Sequence, residues 1–440
     1  MWYGGGMLQL QGLIGVALLM MIGVVLSSHR SKIDWRIVIA GVVLQVVLAF
    51  AVLKFGPVVA LFDGIAAGVT RVISFADAGI AFLFGSVANP GGPWGFVFVV
   101  RVLPVIIFFA ALMSVLYHLG VMQVVVASVA WVLRRSLGIT GAEALSASAN
   151  IFVGQTEAPL TVRPYIAGMT RSQIMCIMVG GFATIAGSVM AAYIGMLGGA
   201  YAKIMGVPIE QGSELFAKHL LTASLMSAPA GIVFAKIMVP ETETPRPESV
   251  DALMSDEKPA RNLVDAAALG ATDGLKLALN VAAMLVAFVA LLAMIDWCIG
   301  AVCGLKAVAP MFAAMGIESP TLASIMGWAL SPVAWSMGIP WSESQQVGGL
   351  LGTQVIATEF VAYTKLTAAM ETGALSPRSA QIVTYALCGF ANVASIGIQI
   401  GGLSALAPER RSDLAALAPR AMVAGALACW MTGAIASIFI

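Results

Sequence analysis

The chain consists largely of uninterrupted apolar segments of about 20 residues, the length at which a helix crosses roughly 30 Å of hydrocarbon. Because lipid offers the backbone no water, each such segment must satisfy its own hydrogen bonds as a helix. The sequence therefore predicts an all-α, polytopic membrane protein with eight transmembrane helices. They are predicted at about 8–27, 35–54, 95–116, 172–199, 215–238, 280–304, 379–403 and 416–440.

Composition and short motifs exclude several classes of protein. Hydrophobic residues make up 60% of the chain, charged residues 10%, and the net charge is +1. No stripe of lysine and arginine alternates with aromatic residues, so a nucleic acid polymer is not an expected partner. The zinc-protease, hydrolase and P-loop templates are also missing from the sequence. We predict that the protein is not an enzyme and uses no organic cofactor.

Two regions are apolar enough for the membrane but are broken by Gly, Pro, Ser and charged residues. We interpret about 121–166 as re-entrant hairpin 1 and about 320–367 as re-entrant hairpin 2. Residues 57–90 are predicted to lie as a helix at the interface. The predicted organisation is an N-terminal unit of spans and interfacial helix (1–94), a first repeat (95–239), a cytoplasmic loop with an interfacial helix (240–279) and a second repeat (280–440).

An internal duplication supports this division. Residues 173–186 and 381–394 share the pattern Q-I-x6-G-F-A-x-x-A at an offset of 208 (381 − 173). Val-Ala-Trp ends at Trp131 and Trp335, and Glu157 and Glu359 follow 26 and 24 residues later. Three predicted crossings separate the hairpins, so the second repeat is predicted to be inverted. Basic residues near 30, 134 and 410 then mark the cytoplasmic side, which places both termini outside.

The broken regions carry the polar chemistry. Glu157 and Glu359 hold matching places in the two repeats, and a carboxylate at membrane depth requires a polar partner. Carboxylates accept hydrogen bonds from the vicinal hydroxyls of a ribose, and an amide side chain such as Gln155 or Asn392 complements the edge of a base. These residue types predict a nucleoside as the substrate.

Energy for transport is predicted to come from an ion gradient. Carbonyls freed near 150–153 and 184–185, together with a hydroxyl, would form a hard-oxygen site for a small cation. Coupling to protons through Glu157 or Glu359 is the alternative. A passive pore or receptor is a further alternative, since spans around a polar centre suit either.

Three segments carry a resemblance to a known family. GQTEAPLTVRPYI (154–166), TEFVAY (358–363) and CGFANVASIGIQIGG (388–402) resemble segments of the concentrative nucleoside transporters, in their bacterial eight-span form. The resemblance implies a homotrimer in the bacterial cytoplasmic membrane that imports nucleosides with a cation, sodium in the first instance, by an elevator-like displacement. Gly154 resembles the broadly selective pattern, which implies uridine, cytidine and adenosine as substrates.

The same resemblance implies roles for individual residues. Thr358 stands where the family pattern has Asn, and Ala394 stands where Ser is frequent. The implied base contacts are Gln155 and Thr156, with Glu157 and Val189 completing that pocket; the implied ribose contacts are Glu359, Asn392 and Ser395, with Phe390 close to the nucleoside; and the implied sodium site comprises the carbonyls of Asn150, Val153 and Ile185 with the Thr184 hydroxyl.

Overall fold

The computed structural model describes residues 3–89, 94, 97–245, 260–303, 310, 312 and 320–440. Within these ranges the ordered elements are helices, which confirms the all-α prediction. Most of the predicted 240–265 loop, namely 246–259, lies outside the described residues. The N-terminal helices are α1 (Tyr3–Val25), α2 (Trp35–Leu53), α3 (Gly56–Ser74), α4 (Ala76–Phe84), α5 (Phe98–Arg101) and α6 (Leu103–His118).

Two sets of helices with similar order follow. The first set is α7 (Val121–Leu137), α8 (Gly141–Asn150), α9 (Arg163–Ile166), α10 (Arg171–Ala183), α11 (Gly187–Met205) and α12 (Ile209–Met238). Helix α13 (Leu263–Cys303) connects it to the second set, which is α14 (Leu322–Ser336), α15 (Trp341–Ile356), α16 (Glu359–Glu371), α17 (Pro377–Ala386), α18 (Val393–Leu406) and α19 (Arg411–Ser437).

The helices divide into a buried interior and an exposed periphery. The apolar stretches are 94% buried in 171–205 and 89% buried in 209–238, against 28% in α2 and 6% in α13. A lone helix needs only apolar side chains in lipid, whereas the interior helices also carry buried polar groups that require protein partners. The interior is therefore where a polar ligand could be held.

Helix α13 differs from the prediction. We expected an interfacial helix before residue 279 and a separate span at 280–304, but one helix of 41 residues begins at Leu263. Proline is absent from this helix, so its backbone bonds continue without a break. Gly270 and Gly274 lie against α6, where an added Cβ would meet Ala110 at 2.7–2.8 Å. Small residues four apart let the two helices approach closely.

Each predicted hairpin region contains two breaks. The first break follows α7 at Gly138 and α14 at Gly338, with φ values of +70° and +86° that favour glycine. Helices α14 and α15 are bent by 117° at this break. The second break follows Asn150 in one region and Ile356 in the other. The predicted site residues lie at and after the second break in both regions.

The two interrupted spans meet at their breaks. Helix α10 ends at Ala183 and α17 at Ala386, and the Phe390 N–H donates to the Thr184 carbonyl across the two breaks (3.2 Å). The Cys429 thiol of α19 lies against the carbonyls of Ala183 and Cys388 (3.5 and 3.6 Å). A hydrogen bond between the two unwound segments and the Cys429 thiol therefore satisfy backbone groups that a continuous helix would pair internally.

Candidate functional site

Helix α18 presents a polar face toward the loop after α8. Ser395, Gln399 and Gly402 are spaced so that they follow one another along this face. The Gln155 side chain donates to Ser395 Oγ (3.2 Å) and accepts from Gln399 Nε2 (3.1 Å). A Cβ on Gly402 would lie 3.0 Å from the Thr156 methyl group, so the glycine leaves room for the loop. The predicted base-contacting residues are thus held against α18.

Glu359 is the centre of the second part of the site. It begins α16 and is 5% exposed. Its Oε1 accepts from the Tyr193 hydroxyl (3.1 Å), and its Oε2 accepts from Asn392 Nδ2 (2.8 Å). The Tyr193 ring is stacked on Tyr363 at 4.1 Å, which fixes the direction of its hydroxyl. Each carboxylate oxygen keeps a lone pair that can accept a hydroxyl of a ligand.

Asn392 joins the two parts of the site. It is the N-cap of α18, and its Oδ1 accepts the backbone N–H of Ser395 (2.8 Å). A backbone N–H can only donate, so the Asn392 amide must turn its NH2 group toward Glu359. Because Ser395 Oγ in turn accepts from Gln155, hydrogen bonds run without interruption from Gln155 to Glu359.

The two departures from the family pattern have small structural effects. Thr358 is the N-cap of α16, and its hydroxyl accepts the Val361 N–H (3.2 Å). Asn and Thr are both favoured as N-cap residues, so Thr358 caps the helix as the Asn of the family pattern would. Ala394 lies between Asn392 and Ser395 and leaves the bonds of both intact.

Two of the candidate cation residues, Asn150 and Thr184, meet at Gly180. Asn150 Nδ2 donates to the Ser146 carbonyl and lies 3.1 Å from a Cβ placed on Gly180. The Thr184 hydroxyl donates to the Gly180 carbonyl (2.8 Å), which leaves its oxygen free to accept. The Gly187 N–H donates to the Phe152 carbonyl (3.0 Å), so the loop after α8 lies beside the break after α10.

The oxygens of this cluster fit a small hard cation. Asn150 is fully buried, and its Oδ1 has no hydrogen-bond partner among the residues that the structure describes. The carbonyls of Val153 and Ile185 accept no hydrogen bond from the described residues. Within the described ranges no group of three His, Cys, Asp or Glu residues could hold a metal. A neutral set of amide, carbonyl and hydroxyl oxygens suits a singly charged hard ion better than a transition metal.

Among the described residues, four of the predicted substrate contacts lie outside the hydrogen-bonded group: Thr156, which packs against Gly402, and Glu157, Val189 and Phe390. Glu157 is exposed, and its carboxylate folds back against Gly154 instead of approaching Glu359. Val189 is 2% exposed on α11, and Phe390 is half-buried in the interruption between α17 and α18. No hydrogen bond between described residues joins the two glutamates, so the symmetric placement of Glu157 and Glu359 does not extend to their contacts.

Sequence reasoning missed Tyr193 and Gln399. Tyr193 lies four residues after Val189, which places it on the same face of α11. Gln399 follows Ser395 by the same interval and is 1% exposed. Helical spacing from the predicted residues could have found both, since a buried amide or phenol in an apolar helix requires a partner.

A buried charge pair near the first break was also missed. Lys236 of α12 pairs with Glu143 of α8, with side chains 7% and 2% exposed. Glu143 also accepts from the Thr140 N–H (3.0 Å) as part of a capping box. At the equivalent turn of the second set, Glu343 accepts from the Ser376 hydroxyl (3.1 Å). Each glutamate ties the start of a hairpin helix to a neighbouring element.

An interior of interrupted helices, with polar groups aligned at the breaks, defines a membrane transporter. Comparison with known families identifies the kind of transporter. Residues 14–87 and 219–437 match the N-terminus and C-terminus models of the "Na+ dependent nucleoside transporter", and residues 99–200 match "Nucleoside recognition". The chain belongs to the Na+ dependent nucleoside transporter family, as the resemblance predicted.

Similar proteins cover the chain from end to end. It is 39% identical to the nucleoside permease NupC of Helicobacter pylori over 98% of both chains. It is 38% identical to human solute carrier family 28 member 3 over 98% of this chain and 60% of that protein. Among solved structures, CNTnw in an inward-facing substrate-bound state is 42% identical over 98% of both chains, with a TM-score of 0.85.

Proposed function

We propose that this protein is a sodium-nucleoside symporter that imports nucleosides across the bacterial cytoplasmic membrane. The observation that carries the proposal is the unbroken set of hydrogen bonds from Gln155 to Glu359. It holds an amide suited to a base and a carboxylate suited to a ribose in one buried group. Few other solutes combine those two chemistries in one molecule.

Recognition of the ribose rests on Glu359. Its two oxygens are oriented by Tyr193 and Asn392 before any ligand arrives, so little side-chain entropy is lost on binding. A sugar hydroxyl that donates to the carboxylate makes a charge-assisted bond, which is roughly twice as strong as a neutral one. Asn392 and Ser395 complete this side of the site.

Recognition of the base rests on the loop after α8. Gln155 supplies the polar contact, Thr156 lies beside it against Gly402, and Val189 and Phe390 supply apolar surface. Apolar contact with the base surface is tolerant of its identity, which supports uridine, cytidine and adenosine as substrates. Glu157 is exposed at the same loop and would complete the pocket around the base.

Coupling to sodium is supported by the oxygens around Gly180. Asn150 Oδ1 and the carbonyls of Val153 and Ile185, with the Thr184 hydroxyl, would hold the ion. A bound Na+ would supply the positive charge that satisfies Asn150 Oδ1, which otherwise lacks a partner. Asn150 and Val153 precede Gln155 in the same loop. Residues that order around the cation therefore order the base contact too, which raises nucleoside affinity.

The division between interior and periphery supports an elevator-like movement. The interior helices carry the site, whereas α2, α6 and α13 are mostly exposed. CNTnw has been solved in inward-facing and intermediate states, and this chain matches them with TM-scores of 0.85 and 0.86. We propose the same alternation here within a homotrimer, with both termini outside.

The test is uptake of tritiated uridine into proteoliposomes under an inward sodium gradient, an inward proton gradient or neither, at matched membrane potential. We expect accumulation with sodium alone. Accumulation with protons alone would support a nucleoside as the substrate but refute sodium coupling. Equal equilibration under all three conditions would indicate a passive pore, and no uptake of uridine, cytidine or adenosine would refute the substrate.

A further inference from the structure

Gln399 contacts Gln155 from the side away from Ser395. Its Nε2 donates both to Gln155 Oε1 and to the backbone carbonyl of Met178, each at 3.1 Å. Gln399 is 1% exposed, so neither bond competes with bulk water. The side chain thus connects α18, α10 and the loop after α8 at a single nitrogen.

The Met178 carbonyl fixes the orientation of both amides. A carbonyl oxygen only accepts, so the group of Gln399 that faces it must be the NH2 group. The second proton of that group then points to Gln155, whose nearer atom must be the acceptor Oε1. Reversing Gln399 would place its carbonyl oxygen against the carbonyl oxygens of Met178 and Gln155, and acceptors that face each other in a buried place are unfavourable.

We propose that Gln399 is a positioning residue that holds the Gln155 amide with its NH2 group toward the nucleoside. The site then offers the base a hydrogen-bond donor and selects bases that carry an acceptor on the facing edge. This inference rests on the proposed nucleoside site and adds to it the direction of the base contact. Gln399 acts only through Gln155 and does not touch the substrate.

Packing supports the same assignment. An added Cβ on Gly181 would lie 2.6 Å from Gln399 Nε2 and 2.9 Å from Gln155 Cβ. The glycine therefore makes room for the two amides to meet, and Gly181→Ala should separate them without removing either one. The Gly181 substitution provides a second, independent way to disturb the contact.

The experiment is a double-mutant cycle on the full-length chain in detergent, with tritiated uridine binding measured at saturating sodium. We expect Gln155→Ala to weaken binding at least tenfold and Gln399→Met at least fivefold. The double variant should be within twofold of Gln155→Ala alone, since Gln399 has nothing left to position. Losses that multiply in the double variant would overturn the proposal, and so would an unchanged affinity in either single variant.

Two further variants separate positioning from folding. Gly181→Ala should weaken uridine binding at least fivefold, and unchanged binding would count against the proposal. Gln155→Glu keeps the acceptor for Gln399 but removes the donor, so it should lose as much affinity as Gln155→Ala; retained affinity would refute the donor orientation. Gln45→Met is the matched control, because Gln45 is a fully buried glutamine that donates to the Gly41 carbonyl in α2.

The cycle also distinguishes this inference from the function on which it rests. If the wild-type chain binds none of uridine, cytidine and adenosine, the proposed function fails. If the wild type binds uridine and the two substitutions act independently, the function stands and only the role of Gln399 is refuted.

Discussion

Replacing Glu359 with glutamine tests the site most directly. Asn392 offers only its NH2 group at this point, because its Oδ1 is held by the Ser395 N–H. The new amide must therefore turn its oxygen to Asn392 and its nitrogen to Tyr193, whose hydroxyl can rotate and accept. The internal bonds survive, but the atom on the Tyr193 side becomes a donor.

The expected loss can be estimated from the bonds removed. A ribose hydroxyl that donated to the carboxylate now faces an NH2 group or a neutral carbonyl. A hydrogen bond to a charged group contributes about 1.5–3 kcal/mol, and an unpaired buried donor adds to the cost. A loss of about 3 kcal/mol corresponds to roughly a hundredfold weaker binding. Folding should be retained, since an isosteric amide removes a buried charge without leaving a cavity.

The assay is equilibrium binding of tritiated uridine, compared with binding of 3′-deoxyuridine and 2′-deoxyuridine. Wild type should discriminate against at least one deoxy analogue, and Glu359→Gln should bind uridine and that analogue about equally. Glu371→Gln is the control: it lies on the same helix but pairs at the surface with Lys203 at 3.5 Å, where a salt bridge contributes little. Uridine affinity within threefold of wild type in Glu359→Gln would refute the reasoning.

Three further predictions concern the cation site, the packing where the two interrupted spans meet and the buried Lys236–Glu143 pair. Asn150→Leu removes the unpartnered buried acceptor and should raise the sodium concentration for half-maximal uridine binding at least tenfold; an unchanged sodium titration would place the cation elsewhere. Gly389→Ala forces a methyl group into the crossing of the two breaks and should cost about 1–3 kcal/mol. Gly397→Ala is the control and should leave stability unchanged, because nothing lies within 4 Å of the new Cβ. Equal thermal midpoints for the Gly389→Ala and Gly397→Ala variants would contradict the predicted cost at Gly389. Lys236→Met leaves Glu143 without its charge partner and should destabilise by about 3–5 kcal/mol, largely recovered by adding Glu143→Gln. A single variant as stable as wild type would disprove the pairing.

The spans were predictable because one physical requirement produces them. A helix in lipid needs a long apolar run, and that run is visible without knowledge of its neighbours. The unwound segments were predictable for a related reason: Gly, Pro and polar residues at membrane depth are tolerated only where protein satisfies the backbone. The repeat at 173–186 and 381–394 then showed that the two unwound segments correspond.

Contacts between distant segments were not predictable in the same way. Tyr193 and Glu359 are separated by 166 residues, and Gln155 and Gln399 by 244. Neither tyrosine nor glutamine in an apolar helix reveals which partner satisfies it. The paired placement of Glu157 and Glu359 suggested contacts of similar kind, but Glu359 is buried with Tyr193 and Asn392 as partners, whereas Glu157 is exposed.

The position of the loop after α8 explains why one cation and one nucleoside could share an energetic link. Asn150 begins this loop, and Gln155 follows five residues later against α18. The Gly187 N–H pins the middle of the loop through the Phe152 carbonyl. We expect a cation that satisfies Asn150 Oδ1 to restrict the loop that carries Gln155 as well, and by reciprocity a bound nucleoside would then favour the cation to the same degree.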